Sequence, residues 1–140
     1  MNFGSRTIPP SSKTRKPISA ADESSDATGL KLRVVVGPGV GLGPGKAALL
    51  ETIDKTGSIS AAGRSLNMSY KRAWSLVEAL NEHFEEPLVM SSKGGRSGGG
   101  ASLTPLGHEV LEAYREMEKL SEQAIEKLMK RLRRKLKSKI

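Results

Sequence analysis

GSISAAGRSLNMSYKRAWSLVEALNEHF, residues 57–84, contains two short segments whose apolar residues recur at helical spacing. The segments are separated by Asn67, Met68 and Ser69, which predicts two helices joined by a tight turn. Ser58 and Ser69 each precede one of the segments, and each can accept a hydrogen bond from the first free N–H groups of its helix. The stretch therefore has the pattern of a helix-turn-helix.

The second predicted helix begins with polar and basic side chains on its outer face, namely Ser69, Tyr70, Lys71, Arg72 and Ser75. In a helix-turn-helix, the N-terminal residues of the second helix enter the major groove of DNA, where Lys and Arg reach phosphates or guanine edges. By itself the stretch also fits an ordinary helical hairpin whose basic residues are only solvated. The flanking sequence has to distinguish these two interpretations.

The chain has 140 residues, no cysteine and a formal net charge of +8. This length suits one domain with tails, and no apolar run is long enough to cross a membrane. The lack of cysteine excludes disulfides and thiolate metal sites and is typical of the cytoplasm, where we expect the protein. Lys and Arg outnumber Asp and Glu by seven over residues 125–140, so most of the basicity lies at that end. Residues 55–77 and 87–108 contain cations and no acid, so local positive patches remain.

The N-terminal part divides into a leader, a strand and a helix. Residues 1–29 are rich in Ser, Thr, Pro and charge without a sustained period, which predicts a disordered leader. A passive tail is the favoured interpretation, and the alternative is a flexible arm that touches phosphates through Arg6, Lys13, Arg15 and Lys16. LKLRVVV, residues 30–36, alternates like a half-buried strand. The glycine-rich sequence that follows fails as a phosphate-binding loop, because a Walker motif would need Gly in place of Val40 and Ser or Thr in place of Ala47. We interpret it as a tight connection to a helix over Pro44–Lys55, which Gly57 ends.

Two short apolar segments, Pro87–Ser91 and Ala101–Thr104, flank a glycine-rich sequence that carries Lys93 and Arg96. This pattern predicts a β-hairpin with a long tip, and such a hairpin directly after a helix-turn-helix is the wing of a winged helix. It also offers a pairing partner for the strand predicted at residues 30–36. The two cations can enter the minor groove or contact phosphates, although a plain flexible surface loop is an alternative.

Thr104 and Pro105 predict the start of a long final helix. Its apolar residues follow the spacing of a seam: Val110, Tyr114, Met117, Ala124, Leu128 and Leu132. A helix of about 30 residues is about 45 Å long, far longer than a domain of this size can cover. A second copy is the simplest partner for the seam, so we expect a homodimer. The basic end of this helix fits DNA phosphates or plain solvation better than a membrane surface.

These patterns predict a mainly α protein with a small β hairpin and a strand. We expect a disordered leader over 1–29, a winged helix-turn-helix DNA-binding domain over 30–104, and a long dimerisation helix with a basic tail over 105–140. The predicted partners are double-stranded DNA and a second copy, without membrane contact. No catalytic residue, cofactor or metal site is expected, because neither the two histidines nor any carboxylates have a suggestive spacing. The predicted DNA contacts are Ser58, Arg64, Ser69, Tyr70, Lys71, Arg72, Ser75, Lys93 and Arg96.

The order strand, helix, helix-turn-helix, wing and long helix is similar to the LysR-type class of winged-helix regulators. More closely, it resembles the N-terminal domain of molybdate-responsive ModE-type regulators. The residues that carry this resemblance are 42–81, the glycine-rich tip 94–100 and the sequence LTPLG at 103–107. The most specific part is SYKRAW, residues 69–74.

The resemblance implies a dimeric repressor or activator, with a possible link to molybdenum homeostasis. Its second helix would read an operator through residues 69–72 and Ser75, and its wing would contact DNA through Lys93 and Arg96. Full-length members of that family also carry C-terminal domains that bind molybdate. Because this chain ends at Ile140, we expect those domains to be absent, which argues against molybdate sensing in cis without excluding it.

Three functional hypotheses remain at this point. The first is a sequence-specific dimeric transcription regulator in the bacterial cytoplasm, associated with the nucleoid. The second is a non-specific or architectural nucleic-acid-binding protein driven by the basic tail, whose affinity would depend steeply on salt and little on sequence. The third is a winged-helix protein-interaction module. An enzyme is not expected.

Overall fold

The computed structural model describes residues 29–92 and 100–137. In these ranges the chain forms four helices and two hairpins, in the order β1 (Val34–Gly37), β2 (Val40–Leu42), α1 (Pro44–Thr56), α2 (Ile59–Ser65), α3 (Tyr70–His83), β3 (Val89–Ser92), β4 (Gly100–Leu103) and α4 (Pro105–Arg133). The predicted winged helix-turn-helix with a long C-terminal helix is confirmed. Within the described residues, no helix has the length and apolarity that a membrane crossing requires.

The strand predicted at residues 30–36 starts later and pairs with a different partner than expected. β1 pairs antiparallel with β2, so that Val34 lies opposite Leu42, while β3 and β4 form a separate sheet. The prediction that the wing supplies the partner of this strand is therefore wrong. Gly39 adopts φ 74, which lets the chain reverse at once, and closing this short loop costs less entropy than reaching the distant wing. The glycine-rich connection thus contains a strand of its own.

The core lies between α1, the helix-turn-helix and the inner sides of β3 and β4. Gly57 ends α1 in the left-handed conformation, with φ 74, and its N–H donates to the carbonyl of Ile53 at 2.8 Å, as predicted. The buried apolar side chains interdigitate as one cluster, which stabilises the fold by removing them from water. Its members are Leu42, Ala47, Leu49, Leu50, Ile53, Ile59, Ala62, Ala73, Val77, Leu80, Leu88, Val89, Ala101, Leu103 and Tyr114.

The first half of α4 belongs to this core. Thr104 caps the helix by accepting a hydrogen bond from the N–H of Gly107 at 2.9 Å, and Gly107 lies directly against the backbone of Leu88. Tyr114 is only 1% exposed. The sequence pattern predicted that Tyr114 lies on the dimer seam, and this prediction is wrong because its ring fills the core of its own chain. The seam continues the same helical stripe that packs against α1.

Candidate nucleic-acid interface

The turn between α2 and α3 is built by backbone hydrogen bonds around one left-handed residue. Asn67 has φ 63, and its N–H donates to the carbonyl of Arg64 at 3.1 Å. The N–H of Met68 donates to the carbonyl of Gly63 at 2.8 Å. These two bonds form a Schellman motif, which satisfies the free carbonyls at the end of α2 and turns the chain sharply into α3. The polar interruption seen in the sequence is therefore a helix C-cap followed by a helix N-cap.

The two helices of the motif cross at close range. A Cβ atom added to Gly63 would lie 3.1 Å from the Cβ of Ala73, so only a very small residue fits between the helices. Both residues are buried. This contact fixes the angle at which α3 leaves the turn, and it therefore sets the direction in which the N-terminal end of α3 points.

The N-terminal end of α3 carries the predicted recognition residues on its surface. The hydroxyl of Ser69 accepts a hydrogen bond from the N–H of Arg72 at 3.0 Å, which confirms the predicted N-cap. Lys71, Arg72 and Ser75 are all exposed, and Tyr70 is 61% exposed. None of the ion pairs formed within the described residues involves Lys71 or Arg72. Their cationic groups are therefore available to an external anion.

Trp74 supports this surface from behind. It is half-buried against the core, and its ring meets that of Tyr70 edge to face with centroids 6.2 Å apart. Its Nε1 group is buried and has no hydrogen-bond acceptor among the described residues. The indole thus acts as a packing element that holds the Tyr70 ring at the surface.

The other predicted contact residues differ in their accessibility. Arg64 is exposed in the last turn of α2 and forms no ion pair within the described part of the chain. Ser58 is half-buried, and its hydroxyl caps α2 by accepting from the N–H of Ala61 at 3.0 Å. Lys93 and Arg96 lie outside the described residues. Ser58 therefore has a structural role in addition to its predicted one.

The charge of α3 changes sign along its length. Its first turn contains no acidic residue and carries Lys71 and Arg72, whereas Glu78 and Glu82 are exposed farther along, followed by Glu85 and Glu86 after the helix ends. Because phosphates would be repelled by the acidic half, only the N-terminal half can lie against a nucleic-acid backbone.

The wing is attached to the start of the helix-turn-helix by its backbone. The N–H of Ala101 donates to the carbonyl of Gly57 at 2.8 Å, and a Cβ atom at Gly100 would lie 3.0 Å from the same oxygen. Ser92 lies opposite Gly100 in the antiparallel ladder, so the described ends of the hairpin project on the side where α1 ends and α2 begins. The base of the wing and the two helices of the motif therefore form one continuous surface.

Asn81 is the residue at this site that sequence reasoning missed. Its Oδ1 accepts hydrogen bonds from the N–H groups of Leu88 at 2.8 Å and Val89 at 3.1 Å, and its Nδ2 donates to the carbonyl of Val89 at 3.1 Å. These bonds tie the last turn of α3 to the start of β3. The available signal was a polar residue at helical spacing from Val77 and Phe84, on the side that packs inward.

The second half of α4 leaves part of the predicted dimer seam uncovered. Met117 is 38% exposed, Leu128 54% and Leu132 64%, and Ala124 is also exposed. Val110, in contrast, is half-buried against the core. Among the described residues, no three His, Cys, Asp or Glu side chains cluster in a way that could hold a metal ion.

Comparison with known proteins agrees with this geometry. Residues 46–108 match the family described as bacterial regulatory helix-turn-helix protein, lysR family. Over 80 residues the chain is 46% identical to the molybdenum-pterin-binding protein MopB of Rhodobacter capsulatus, which covers 57% of this chain and 30% of MopB. Over 94 residues it is 38% identical to the molybdenum transport protein ModE of Azotobacter vinelandii, which covers 67% of this chain and 35% of ModE.

Among solved structures, the chain matches the full-length LysR-type regulator LysG of Corynebacterium glutamicum with bound effector arginine at a TM-score of 0.49 and 26% identity, covering 65% of this chain and 29% of that one. The chain spans about a third of the length of the curated relatives that it matches. Residues 46–108 therefore match the LysR-type helix-turn-helix family, and part of the chain is similar to Mop and ModE proteins.

Proposed function

We propose that this chain is a sequence-specific DNA-binding transcription regulator that acts as a homodimer in the bacterial cytoplasm. The observation that carries the proposal is the N-terminal end of α3, where a capped helix presents Lys71 and Arg72 without a carboxylate partner among the described residues. An acid-free helix start of this kind suits the major groove, where Lys and Arg donate to guanine edges or phosphates. The LysR-type match supports this role.

The remaining predicted contacts extend this surface. Ser69, Tyr70 and Ser75 flank the two cations on α3, whereas Ser58 and Arg64 come from α2. Lys93 and Arg96 of the wing would reach phosphates or the adjacent minor groove. In this arrangement the base-reading residues lie on α3, and the others set the register of the domain on the duplex.

The homodimer would form through the second half of α4. Met117, Ala124, Leu128 and Leu132 are exposed and share one side of the helix, and such an apolar stripe is stabilised when a second helix covers it. Val110 would lie at the margin of this interface, and Tyr114 would take no part because it is buried in its own chain. Two recognition helices would then enter successive major grooves of an imperfect palindrome, about one helical turn or a small multiple apart.

A selection of binding sites from random double-stranded DNA tests the proposal. The full chain is expected to enrich a two-fold sequence, and Lys71→Ala with Arg72→Ala is expected to abolish the enrichment, because each base-reading contact contributes about 1–3 kcal/mol. Lys31→Ala with Lys119→Ala removes the same charge from exposed positions away from α3 and serves as the control. If the Lys71 and Arg72 variant selected the same sites as the unchanged chain, the assignment of α3 would be wrong.

A link to molybdenum homeostasis rests on the relatives named as molybdenum transport and molybdenum-pterin-binding proteins. The same selection, run with and without molybdate, tests it. Unchanged affinity and site preference in the presence of molybdate would mean that this chain does not itself respond to the oxyanion.

The second candidate function is non-specific nucleic-acid binding. It is favoured by the excess of cations after residue 125. Steep salt dependence without any sequence enrichment would support it over the first proposal.

A further inference from the structure

The end of α4 and the four residues that follow it carry a dense cluster of cations. Between residues 127 and 137, seven side chains are basic and every one is exposed: Lys127, Lys130, Arg131, Arg133, Arg134, Lys135 and Lys137. Of these seven side chains, only Lys130 has a carboxylate partner within the described residues, namely Glu126 at 3.5 Å. No acidic residue follows Glu126 in the sequence. We refer to residues 127–137 as the basic end.

The ordinary role of basic residues at a helix terminus does not account for this cluster. The helix macrodipole amounts to roughly half an elementary charge, and cations in the last turn stabilise it only modestly. Seven cations far exceed that charge, and pairs such as Lys127 with Arg131 and Lys130 with Arg134 are like-charged at i, i+4, which destabilises a helix. A bound polyanion would remove this repulsion and stabilise the end of α4.

The packing of α4 directs the basic end away from the predicted recognition surface. His108 lies 3.8 Å from Asp54 near the end of α1, whereas Arg115, farther along α4, bonds Glu51, which is earlier in α1. The two helices therefore run in opposite directions. Because α1 ends at Gly57, beside α2 and the wing, α4 extends away from that side, and Arg131 lies about 35 Å along the helix from His108.

We propose that the basic end is a second, sequence-independent phosphate-binding surface, which takes the backbone of a separate double-stranded DNA segment. One molecule would then hold two duplexes, one at α3 and one at the end of α4. This inference goes beyond the proposed regulator function. Backbone binding by the basic end does not depend on that function, because it needs only exposed cations, whereas the holding of two duplexes rests on the proposed DNA binding by α3.

An anionic membrane is the competing partner for a basic amphipathic helix. A membrane would need the apolar side of the basic end, where Leu128, Leu132 and Leu136 are exposed. Leu128 and Leu132 are part of the stripe that we propose to pair with a second copy, and in such a pair the cations remain outside while the leucines are covered. DNA is therefore the partner that fits an already paired helix.

A duplex-capture experiment with the full chain tests the proposal. Protein is bound to an immobilised short duplex, and capture of a labelled duplex of unrelated sequence is measured over a range of salt concentrations. The test variant combines Lys127→Gln, Arg131→Gln, Arg134→Gln and Lys135→Gln. The control variant removes the same charge near the N-terminus through Arg6→Gln, Lys13→Gln, Arg15→Gln and Lys16→Gln. Circular dichroism and thermal unfolding establish that both variants are folded.

The test variant is expected to lose capture of the second duplex, whereas the control retains it. The slope of log affinity against log salt for unrelated DNA should fall by up to about 3.6, because each phosphate that is no longer neutralised lowers the slope by about 0.9. Unchanged capture, or equal losses in both variants, would overturn the proposal. If the test variant lost binding to phosphatidylserine vesicles but kept DNA capture, the basic end would be a membrane-binding surface and the proposal would be wrong.

The same measurement separates this inference from the proposed function. The Lys71→Ala, Arg72→Ala variant is expected to keep the salt-dependent binding of unrelated DNA that the basic end provides. A chain that shows no site preference but loses capture when the basic end is neutralised would contradict the regulator function and support the second surface.

Discussion

The hydroxyl of Tyr114 donates a hydrogen bond to the backbone carbonyl of Leu32 at 2.5 Å, which joins residues 82 positions apart in the chain. Tyr114 is buried on α4, and Leu32 lies just before β1. The bond therefore connects the start of the N-terminal hairpin to the long helix. It also explains why this part of α4 packs against its own domain instead of extending into solvent.

Tyr114→Phe is expected to lower the free energy of unfolding by about 1 kcal/mol, because it removes this hydrogen bond while the ring still fills the core. Urea unfolding followed by circular dichroism measures the change. Tyr70→Phe is the matched control, since the hydroxyl of Tyr70 has no hydrogen bond to the described residues and its ring is exposed. Equal stability of the two variants would show that the Leu32 bond contributes nothing.

The pKa of Tyr114 is raised above its ordinary value of 10.0, first by burial and then by the negative charge of Glu118. The folded state therefore holds the phenol proton more tightly than the unfolded state. The resulting stabilisation is fully present below about pH 10 and is lost as the pH rises through the raised pKa of the folded state. Urea unfolding at increasing alkaline pH should show a steeper loss of stability for the unchanged chain than for Tyr114→Phe. If the stability of both proteins fell equally with rising pH, the raised pKa of Tyr114 would be contradicted.

Asn67 is expected to tolerate glycine but not a β-branched residue, because it adopts the left-handed conformation with φ 63. Asn67→Gly should leave the stability of the domain nearly unchanged, whereas Asn67→Val should lower it by about 1–2 kcal/mol. Thermal unfolding of the two variants side by side measures the difference. If valine were as well tolerated as glycine, the turn could not depend on the left-handed conformation.

Gly107→Ala is expected to destabilise the protein by about 1–3 kcal/mol, because the added methyl group would fall on the carbonyl oxygen of Leu88. Gly45→Ala is the control, since Gly45 lies in α1 and a Cβ atom there would meet no described residue within 4 Å. That control should be neutral or stabilising by about 0.5–1 kcal/mol. Chemical denaturation of both variants measures whether close packing at Gly107 causes the loss of stability.

Asn81→Ala is expected to cost about 1–3 kcal/mol, because it leaves the N–H groups of Leu88 and Val89 without their acceptor. Glu78→Ala, on the exposed side of the same helix, serves as the control and should change stability by less than about 0.5 kcal/mol. Hydrogen exchange at the amides of residues 88 and 89 reports the loss directly. Exchange rates unchanged from those of the original chain would contradict the role assigned to Asn81.

The sequence alone determined the features that depend on neighbouring residues. The N-caps at Ser58, Ser69 and Thr104 and the left-handed cap at Gly57 are local, because each involves only the residue and the first or last turn of its own helix. The helix-turn-helix, the wing strands and the start of the long helix follow from these signals together with hydrophobic periodicity. The basic residues at the start of α3 were also predicted, because their positions in the helix follow from the same local signals.

Only the tertiary structure decided which partners these elements take. The sequence predicted the wing as the partner of the strand at residues 30–36, but the chain reversal at Gly39 pairs β1 with β2. Tyr114 and Leu128 follow the same stripe of α4, yet one is buried and the other exposed, because the body of the domain covers only the first half of that helix. Periodicity assigns a residue to a face of a helix, but the neighbour that covers this face is fixed by contacts distant in sequence.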